Sequence, residues 1–320
     1  MSDEMPGGAA ERASKSQKAP GKGSHASQEQ LGVPPTSVQR VEADGVGVFY
    51  RAAGDATAPV VLLLHGFPAS SFMFRDLIPR LAHRYRVIAP DLPGFGFTEV
   101  PPAREYVYSF DRLASTMKAF TRALEIDRYA LYVFNYGAPT GFRLAMAHPD
   151  SVSAIVSQNG NAYEEGLGDA WAPIRRYWAS PTAENREALR RSILTLDGTR
   201  WQYTHGVRDP DRVPPEAYTL DSALLERPGN KEIQLDLFLD YASNVKLYPQ
   251  FQEYFRKWKP PLLAIWGKHD PFFVPAGAEA FRRDLPSAQI ELLDTGHFAT
   301  ETHAIEIAAA MTQFLDGVRR

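Results

Sequence analysis

Five short motifs contain the residues that could carry out chemistry, and the most informative one spans residues 133–137 (Val-Phe-Asn-Tyr-Gly). An apolar run precedes it and a helical pattern follows it, so these residues are expected to form a tight turn between a strand and a helix. That is the context of a nucleophile elbow, which points its central side chain out at the carboxyl end of the strand. Ser, Cys or Asp at this position could form a covalent intermediate with a substrate, whereas the neutral carboxamide of Asn135 is a much poorer nucleophile.

Two motifs near the end of the chain supply the partners that such a nucleophile needs. Residues 267–270 (Gly-Lys-His-Asp) and 296–298 (Gly-His-Phe) each follow a predicted strand. In open α/β sheets, functional residues lie at the carboxyl ends of the strands, so Asp270 and His297 are both placed to contribute to a site with residue 135. The chain order is therefore nucleophile position, acid and histidine.

Two loops earlier in the chain could support the same site. Residues 65–68 (His-Gly-Phe-Pro) follow the first buried strand, and the glycine allows a sharp turn that aims the backbone N–H of Phe67 at a developing oxyanion. We expect His65 to shape this turn by hydrogen bonding. Asp91 opens a second tight loop, residues 91–96 (Asp-Leu-Pro-Gly-Phe-Gly), and we expect it to anchor that loop.

Strands and helices alternate around these motifs. Residues 38–51 alternate in polarity and are interrupted at Asp44-Gly45, which predicts a hairpin. The pattern then predicts strands at 60–64, 86–89, 129–134, 153–157, 262–266 and 289–293, and helices at 70–82, 109–124, 140–147, 276–283 and 304–314. We therefore expect an α/β fold, with a mostly parallel sheet that helices cover on both faces.

The alternation stops between residues 159 and 259. This stretch has aromatic residues at irregular spacing, helical patterns such as 183–196 and breaks that contain proline. We interpret it as a helical cap, or lid, inserted between two parts of one core, residues 34–158 and 260–320. Residues 1–33 are rich in small and polar residues, and we predict a disordered tail.

The composition indicates an ordinary soluble globular protein, with 44% hydrophobic and 23% charged residues among 320. The net charge of −3 gives no reason to expect nucleic acid or an anionic membrane as a partner. The chain has no cysteine, and no predicted helix carries two histidines and a carboxylate at the spacing of metal ligands. We therefore expect neither a metal nor a cofactor. We predict a cytoplasmic monomer or homodimer that acts on a small molecule.

From about residue 38 to its end, the chain resembles the α/β-hydrolase superfamily and, within it, the group of haloalkane dehalogenases and epoxide hydrolases. The matching segments are HGFP, DLPGFG, NYGAPTGFRLA, GKHDPF and DTGHF. The elbow residue of that group is Asp, so the chain departs from the pattern at Asn135. Some dehalogenases carry the acid after the strand that follows the elbow helix, but this chain has only amides there. Asp270 is therefore the better assignment.

The resemblance implies a two-step reaction for a carboxylate at position 135. The carboxylate attacks a carbon that bears a halide or an epoxide oxygen and forms an alkyl ester. His297, oriented by Asp270, then activates water to hydrolyse this ester. The backbone N–H groups of Phe67 and Tyr136 would stabilise the tetrahedral intermediate of the second step.

The group that stabilises the leaving atom decides between the two kinds of substrate. Dehalogenases usually have Trp after the nucleophile, and one branch has a halide-binding Asn where this chain has Phe67, so Tyr136 and Phe67 both weaken the halide interpretation. Epoxide hydrolases protonate the leaving oxygen with cap tyrosines, and Tyr203 is our leading candidate. Cap tryptophans could instead donate an indole N–H to a halide. These are Trp171, Trp178 and Trp201. We favour epoxide opening and keep dehalogenation as the alternative.

Asn135 itself leaves three interpretations open. It is an engineered removal of the nucleophile, a natural feature of a catalytically silent ligand-binding protein, or a residue that His297 helps to deamidate. The first two interpretations predict almost no catalytic activity, because removing the nucleophile of a triad can lower turnover by a factor on the order of 10⁶. An ester hydrolase is a further class, and it predicts turnover of small aryl esters that depends on His297 and not on residue 135.

Overall fold

An eight-stranded sheet lies at the centre of the fold in the computed structural model, which describes residues 34–318. The strands are β1 (Ser37–Ala43), β2 (Val46–Ala53), β3 (Val60–Leu64), β4 (Arg86–Pro90), β5 (Tyr129–Phe134), β6 (Val152–Gln158), β7 (Leu262–Gly267) and β8 (Gln289–Leu293). Their order across the sheet is β1-β2-β4-β3-β5-β6-β7-β8. β2 pairs antiparallel with β1 and with β4, and every other neighbouring pair is parallel. The predicted mostly parallel sheet is confirmed.

Helices cover both faces of this sheet. Within the described residues they are α1 (Ile78–Leu81), α2 (Phe110–Ala123), α3 (Gly137–Ala147), α4 (Ala172–Ala179), α5 (Ala183–Ile193), α6 (Leu196–Thr204), α7 (Pro215–Leu225), α8 (Asn230–Trp258), α9 (Pro275–Asp284) and α10 (Ala299–Val318). α10 is bent at His303, whose φ of −130° is not helical, and the helical pattern in the sequence begins just after this bend. The tail predicted for residues 1–33 lies outside the described residues.

Strand β5 shows why the centre of the sheet consists of continuous apolar runs. All six of its residues are buried. Leu131 and Val133 pack into a cluster on one face, whereas Tyr132 and Phe134 pack into a separate cluster on the other. Successive side chains of a strand point to opposite faces, so a strand covered on both sides needs apolar residues at every position. This burial fixes the carboxyl end of β5, where the elbow begins.

Two of the predicted helices are divided in the structure. Residues 70–82 form a 3₁₀ turn at Ser71–Phe74 and the short helix α1. Pro79 lies near the start of α1, and a proline ring clashes with the carbonyl four residues before it, so one continuous helix is disfavoured. The helix predicted for 183–196 ends at Ile193, and the hydroxyl of Thr195 accepts a hydrogen bond from the N–H of Gly198 at 3.0 Å to begin α6.

The segment between β6 and β7 contains the helices expected of a cap, α4 to α8. α8 is 29 residues long, and its second half packs against the core. Phe251 and Phe255 contact Phe142 of α3, with ring centroids 5.4 and 5.3 Å apart. We therefore assign only α4 to α7 and the first half of α8 to the cap, whereas the boundaries at residues 159 and 259 stay predictions.

Candidate active site

Asn135 occupies a strained turn between β5 and α3. Its φ is 49°, in the left-handed region that few residues other than glycine and asparagine adopt readily. Two glycines permit the close packing around this turn. A Cβ on Gly137 would lie 2.2 Å from the carbonyl oxygen of Leu64, and one on Gly66 would lie 2.5 Å from the Cβ of Asn135. The turn is therefore held tightly against the end of β3, with the Asn135 side chain pointing into the site.

Asn135, His297 and Asp270 form one chain of hydrogen bonds. The Nδ2–H of Asn135 donates to Nε2 of His297 at 3.0 Å, and Nδ1–H of His297 donates to Oδ2 of Asp270 at 2.6 Å. We infer this histidine tautomer from its partners, since an amide nitrogen can only donate and an ionised carboxylate can only accept. All three residues are buried. The structure thus brings together the three residues predicted for the triad positions.

Asp270 has two further donors, one of which the sequence analysis missed. The Nδ2–H of Asn159 donates to Oδ2 of Asp270 at 2.7 Å, and the backbone N–H of Phe272 donates to Oδ1 at 2.7 Å. Asn159 follows β6, so its position at a strand end was the available signal. Oδ1 of Asn159 accepts the N–H of Gly267 at 2.9 Å, which fixes the amide and leaves its N–H group for Asp270.

Two backbone N–H groups converge on the side-chain oxygen of Asn135. Phe67 donates to Oδ1 at 3.1 Å, and Tyr136 donates to the same oxygen at 2.6 Å. These are the two residues predicted to form an oxyanion hole. Preorganised donors of this kind stabilise negative charge that develops on a carbonyl oxygen, because no reorganisation is needed when the charge forms. Oδ1 of Asn135 therefore marks the position of an oxyanion.

His65 and Asp91 hold the loops that carry these donors. Nε2 of His65 accepts the N–H of Leu92 at 2.9 Å, and Nδ1 lies 3.1 Å from the carbonyl oxygen of Gly66, to which it donates. Burial lowers the pKa of His65 below its ordinary value, which keeps the ring neutral and suited to this pair of bonds. Asp91 accepts backbone N–H groups from two loops, one of them Ser71 at 2.7 Å. These bonds agree with the supporting roles predicted for both residues.

The fold is that of a known family. Residues 59–304 match the family model of the alpha/beta hydrolase fold. The chain belongs to the α/β-hydrolase fold family. It is 49% identical over 270 residues to an uncharacterized hydrolase of Saccharomyces cerevisiae, an alignment that covers 83% of this chain and 92% of that protein. It is 28% identical over 280 residues to a haloalkane dehalogenase of Mycobacterium marinum, which covers 81% and 85% of the two chains.

Solved structures of other α/β-hydrolases have the same fold. A haloalkane dehalogenase from Bradyrhizobium elkani has a TM-score of 0.70 at 22% identity, covering 89% of this chain and 99% of that chain. An epoxide hydrolase from Vigna radiata has a TM-score of 0.69 at 22% identity, covering 88% and 98%. The predicted resemblance to the group of haloalkane dehalogenases and epoxide hydrolases is confirmed.

Aromatic side chains from the cap surround the site of this α/β-hydrolase. Tyr241 of α8 contacts Tyr136, with ring centroids 5.6 Å apart, and Trp171, with centroids 4.4 Å apart. Phe238, one turn earlier on α8, contacts Phe67 at 4.9 Å. Phe238 and Tyr241 are three residues apart and so share one face of the helix, a spacing that the sequence analysis did not use.

Two hydrogen-bond donors in this aromatic shell have no acceptor among the described residues. They are the hydroxyl of Tyr136 and the indole N–H of Trp171, and both are buried. Buried polar atoms are normally paired, so an unpaired donor in a site is a candidate ligand contact. Burial raises the pKa of Tyr136 well above its ordinary value, with Asp240 contributing, so its hydroxyl keeps its proton. Indole N–H groups can likewise only donate.

The two cap residues predicted to contact the leaving group have other contacts in the structure. The hydroxyl of Tyr203 donates to Asp221 of α7, and its ring stacks on Phe298 with centroids 3.7 Å apart. Trp201 is 43% exposed, and its ring contacts His205 and Phe272. Both side chains therefore contact aromatic neighbours of His297, Phe272 and Phe298, while the Tyr203 hydroxyl is already paired with Asp221. The structure thus gives the Tyr203 hydroxyl another partner and leaves Trp201 half exposed, and a role for either residue stays a prediction.

Searches for other kinds of site were confined to the described residues. In residues 34–318, no group of three or more His, Cys, Asp or Glu side chains could hold a metal ion. Among the helices of the same range, none is both long and apolar enough to cross a membrane.

Proposed function

We propose that this α/β-hydrolase opens an epoxide, or cleaves a carbon–halogen bond, in a small apolar substrate through an alkyl ester on residue 135. The support is one observation: the side-chain oxygen of residue 135 lies between two N–H donors, while its other terminal atom lies 3.0 Å from a histidine held by a buried acid. Asn135 lacks the negative charge needed for the first step, so the chain requires a carboxylate there to turn over.

The same geometry accounts for the second step once an ester exists. Its carbonyl oxygen would occupy the position of Oδ1, where the N–H groups of Phe67 and Tyr136 stabilise a tetrahedral intermediate. Nε2 of His297 takes a proton from water as the water oxygen attacks the carbonyl carbon. The imidazolium then returns the proton to the departing ester oxygen. The products are an alcohol and a carboxylic acid, and the acid regenerates the carboxylate by releasing its proton to water or to the group that protonated the leaving atom.

The first step needs a group that stabilises the leaving atom. In place of Tyr203 and Trp201, we assign this role to the Tyr136 hydroxyl and the Trp171 indole N–H, the buried donors without an acceptor. A tyrosine hydroxyl can transfer its proton to an epoxide oxygen, whereas an indole only donates a hydrogen bond to an oxygen or a halide. The tyrosine therefore favours epoxide opening, and haloalkane dehalogenation is the second candidate because the relatives include haloalkane dehalogenases.

The test is Asn135→Asp, assayed for diol formation from epoxides and for halide release from haloalkanes. We expect the turnover of this variant to exceed that of the parent chain by about 10⁴-fold or more, because the interdependent triad is restored. The amide at 135 of the parent chain must be verified as intact for this comparison. Asn135→Asp combined with His297→Gln is the matched control, and it is expected to accumulate the ester without releasing product. An Asn135→Asp variant that is inert on every epoxide and haloalkane contradicts the proposal.

Two other classes give different outcomes in the same assays. A ligand-binding protein predicts that saturable binding survives while Asn135→Asp stays inactive. If the protein is an ester hydrolase, the parent chain with an intact amide at 135 should turn over small aryl esters. This turnover should disappear in His297→Gln. Each outcome excludes the alkyl-ester mechanism for this chain.

A further inference from the structure

The carboxamide of Asn135 lies in its own site as an acyl group would. Its oxygen accepts both oxyanion donors, and its nitrogen lies against the base. We propose that Asn135 is itself a substrate of this site: the His297–Asp270 pair hydrolyses the carboxamide to a carboxylate, so that the chain makes its own nucleophile. The inference rests on the proposed function, in which residue 135 acts as a carboxylate.

The carbonyl half of the amide is poised for attack by water. The N–H of Tyr136 lies 2.6 Å from Oδ1 and the N–H of Phe67 lies 3.1 Å from it, so both donors polarise the carbon–oxygen bond. When water adds to Cγ, the charge develops on an oxygen that is already bound by two donors. Preorganised donors of this kind lower the barrier to the tetrahedral intermediate, and an ordinary exposed side-chain amide lacks them.

The leaving half of the amide is placed beside a proton donor. Water must first replace the Nδ2–H of Asn135 as the partner of Nε2 of His297. Nε2 then takes a proton from this water while the new Cγ–O bond forms. The imidazolium, held by Asp270 at 2.6 Å, then protonates Nδ2 across the 3.0 Å contact, and the Cγ–Nδ2 bond breaks. The products are a carboxylic acid and ammonia, which become carboxylate and ammonium by proton transfer. No reactant other than water is required.

This route is the second half of the proposed reaction, with nitrogen in place of the ester oxygen. It differs from the common route of asparagine deamidation, in which the backbone nitrogen of the next residue attacks Cγ and forms a cyclic imide. The backbone N–H of Tyr136 instead donates to Oδ1, and helix α3 begins immediately after this residue. Direct hydrolysis yields only the normally linked aspartate, whereas the cyclic imide also yields isoaspartate.

Asn159 provides an internal comparison in the same site. It precedes Gly160, the neighbour that hinders imide formation least, and its Nδ2–H also donates into the triad. Its partner there is the carboxylate of Asp270, however, while its Oδ1 accepts the backbone N–H of Gly267 at 2.9 Å and the side-chain N–H of Gln158 at 2.6 Å. Asn159 therefore has two N–H donors on its oxygen, but its nitrogen lies against a carboxylate and not against a histidine that could first take a proton from water and then return it to the leaving nitrogen. We therefore expect residue 135 to convert while residue 159 stays an amide.

The experiment follows the amide at both positions with time by peptide mass spectrometry of the purified full chain in ¹⁸O-labelled water. We expect position 135 to become aspartate with one ¹⁸O atom and without isoaspartate. Turnover of the epoxide or haloalkane that Asn135→Asp accepts should rise in step with this conversion. His297→Gln should slow it by about 10²-fold or more, whereas His269→Ala, whose exposed ring pairs with Asp294, should leave it unchanged.

Asp270→Asn is the second variant, and circular dichroism establishes that each variant is folded. Slower conversion in both triad variants supports the proposal. A parent chain whose amide at 135 persists overturns the inference, even if Asn135→Asp is active and the proposed function stands. Conversion that proceeds equally fast in folded His297→Gln, or that yields isoaspartate, also overturns it. If position 135 converts but neither the product nor Asn135→Asp turns over any substrate, the hydrolysis is supported and the proposed function fails.

Discussion

Asparagine and aspartate have nearly the same shape, so Asn135 preserves the geometry of the site while removing one negative charge. The amide also changes which atom is free to act. Its Nδ2–H donates to Nε2 of His297, the nitrogen that would otherwise take a proton from water. The amide therefore removes the nucleophile and also occupies the base. Both effects end together if the amide is hydrolysed, since the ammonium product leaves and a carboxylate remains.

Gly66 is the residue whose substitution should damage the oxyanion hole most directly. A Cβ there would lie 2.5 Å from the backbone nitrogen of Tyr136 and 2.6 Å from Oδ1 of Asn135, so the loop would have to move. In the Asn135→Asp background, Gly66→Ala should lower kcat by about 10²- to 10³-fold, as the loss of an oxyanion donor does. We expect it to destabilise the fold by about 1–3 kcal/mol through overpacking.

Gly47→Ala is the matched control for this change. A Cβ on Gly47 would meet its nearest atom, the carbonyl oxygen of Glu99, at an ordinary 3.7 Å. It should alter neither kcat nor the denaturant midpoint appreciably. Full activity of Gly66→Ala in the Asn135→Asp background would show that the Phe67 loop is not the source of an oxyanion donor.

The site was predictable from the sequence where local patterns place a residue at the end of a strand. Asn135, Asp270 and His297 each follow a buried apolar strand, and parallel strands bring their carboxyl ends to one edge of the sheet. Tyr203 and Trp201 lie on a cap helix, where no such rule applies. Their direction depends on how α6 packs against α7 and Phe298, and composition carries no information about that rotation.

At the scale of elements, polar contacts join the cap to the core around the closed site. Asp240 of α8 accepts the backbone N–H of Phe110 at 2.8 Å, at the start of α2. The amide of Gln234, also on α8, donates to the carbonyl oxygen of Gly94 at 3.0 Å. Asn135 is only 6% exposed, so a substrate reaches it only when contacts of this kind open.

Asp240→Ala should loosen this junction. The carboxylate satisfies one of the unpaired N–H groups at the N-terminus of α2 and also interacts favourably with the helix dipole. We expect a loss of about 1 kcal/mol of stability, together with faster hydrogen exchange at Phe110. In the Asn135→Asp background, substrate association should also be faster.

Asp236→Ala is the control on the same helix, because Asp236 pairs with Arg186 inside the cap. Equal exchange rates at Phe110 in the two variants would exclude this role for Asp240.

The core elements followed their sequence patterns more closely than the cap did. The bounds of β3, β5 and β8 are those predicted. In each case the turns on either side of a short run of residues set where the strand begins and ends. The helix predicted for 70–82 was wrong, since Pro79 interrupts it. α8 shows a different difficulty: its apolar residues face the cap site in the first half and the core in the second, so no composition change marks the boundary.

At the scale of the whole molecule, a buried carboxyl group of the cap, Asp221, interacts electrostatically with a buried ion pair of the core, Arg75 and Glu301. Arg75 donates two hydrogen bonds to the carboxylate of Glu301, at 3.1 and 2.5 Å, and the Glu301 side chain is fully buried. On the cap side, the hydroxyl of Tyr203 donates to Asp221. Burial raises the pKa of Asp221 well above its ordinary value, and the negative charges of Glu301 and Asp91 add to this effect.

Asp221 should therefore make the stability of the molecule depend on pH. A raised pKa means that the folded chain binds a proton which the unfolded chain releases above about pH 4. The contribution is complete below that pH, and it is lost as pH rises towards the pKa of the folded state. Asp221→Asn removes the titration, while its side-chain oxygen can still accept the Tyr203 hydroxyl.

We expect Asp221→Asn to be more stable than the parent near pH 7, and we expect the difference to shrink as pH falls towards about 4 and to vanish below it. Each pKa unit by which the folded state raises the pKa of Asp221 contributes about 1.4 kcal/mol to this difference once the pH exceeds the folded-state pKa. Melting temperatures measured across this pH range test it, with the exposed Asp211→Asn as control. A variant less stable than the parent at pH 7 would mean that Asp221 is ionised and that Arg75, the basic group which lowers its pKa, outweighs its burial. The cap would then be held to the core by charge attraction and would loosen in acid, so the same measurement decides in which direction pH acts on the opening of the site.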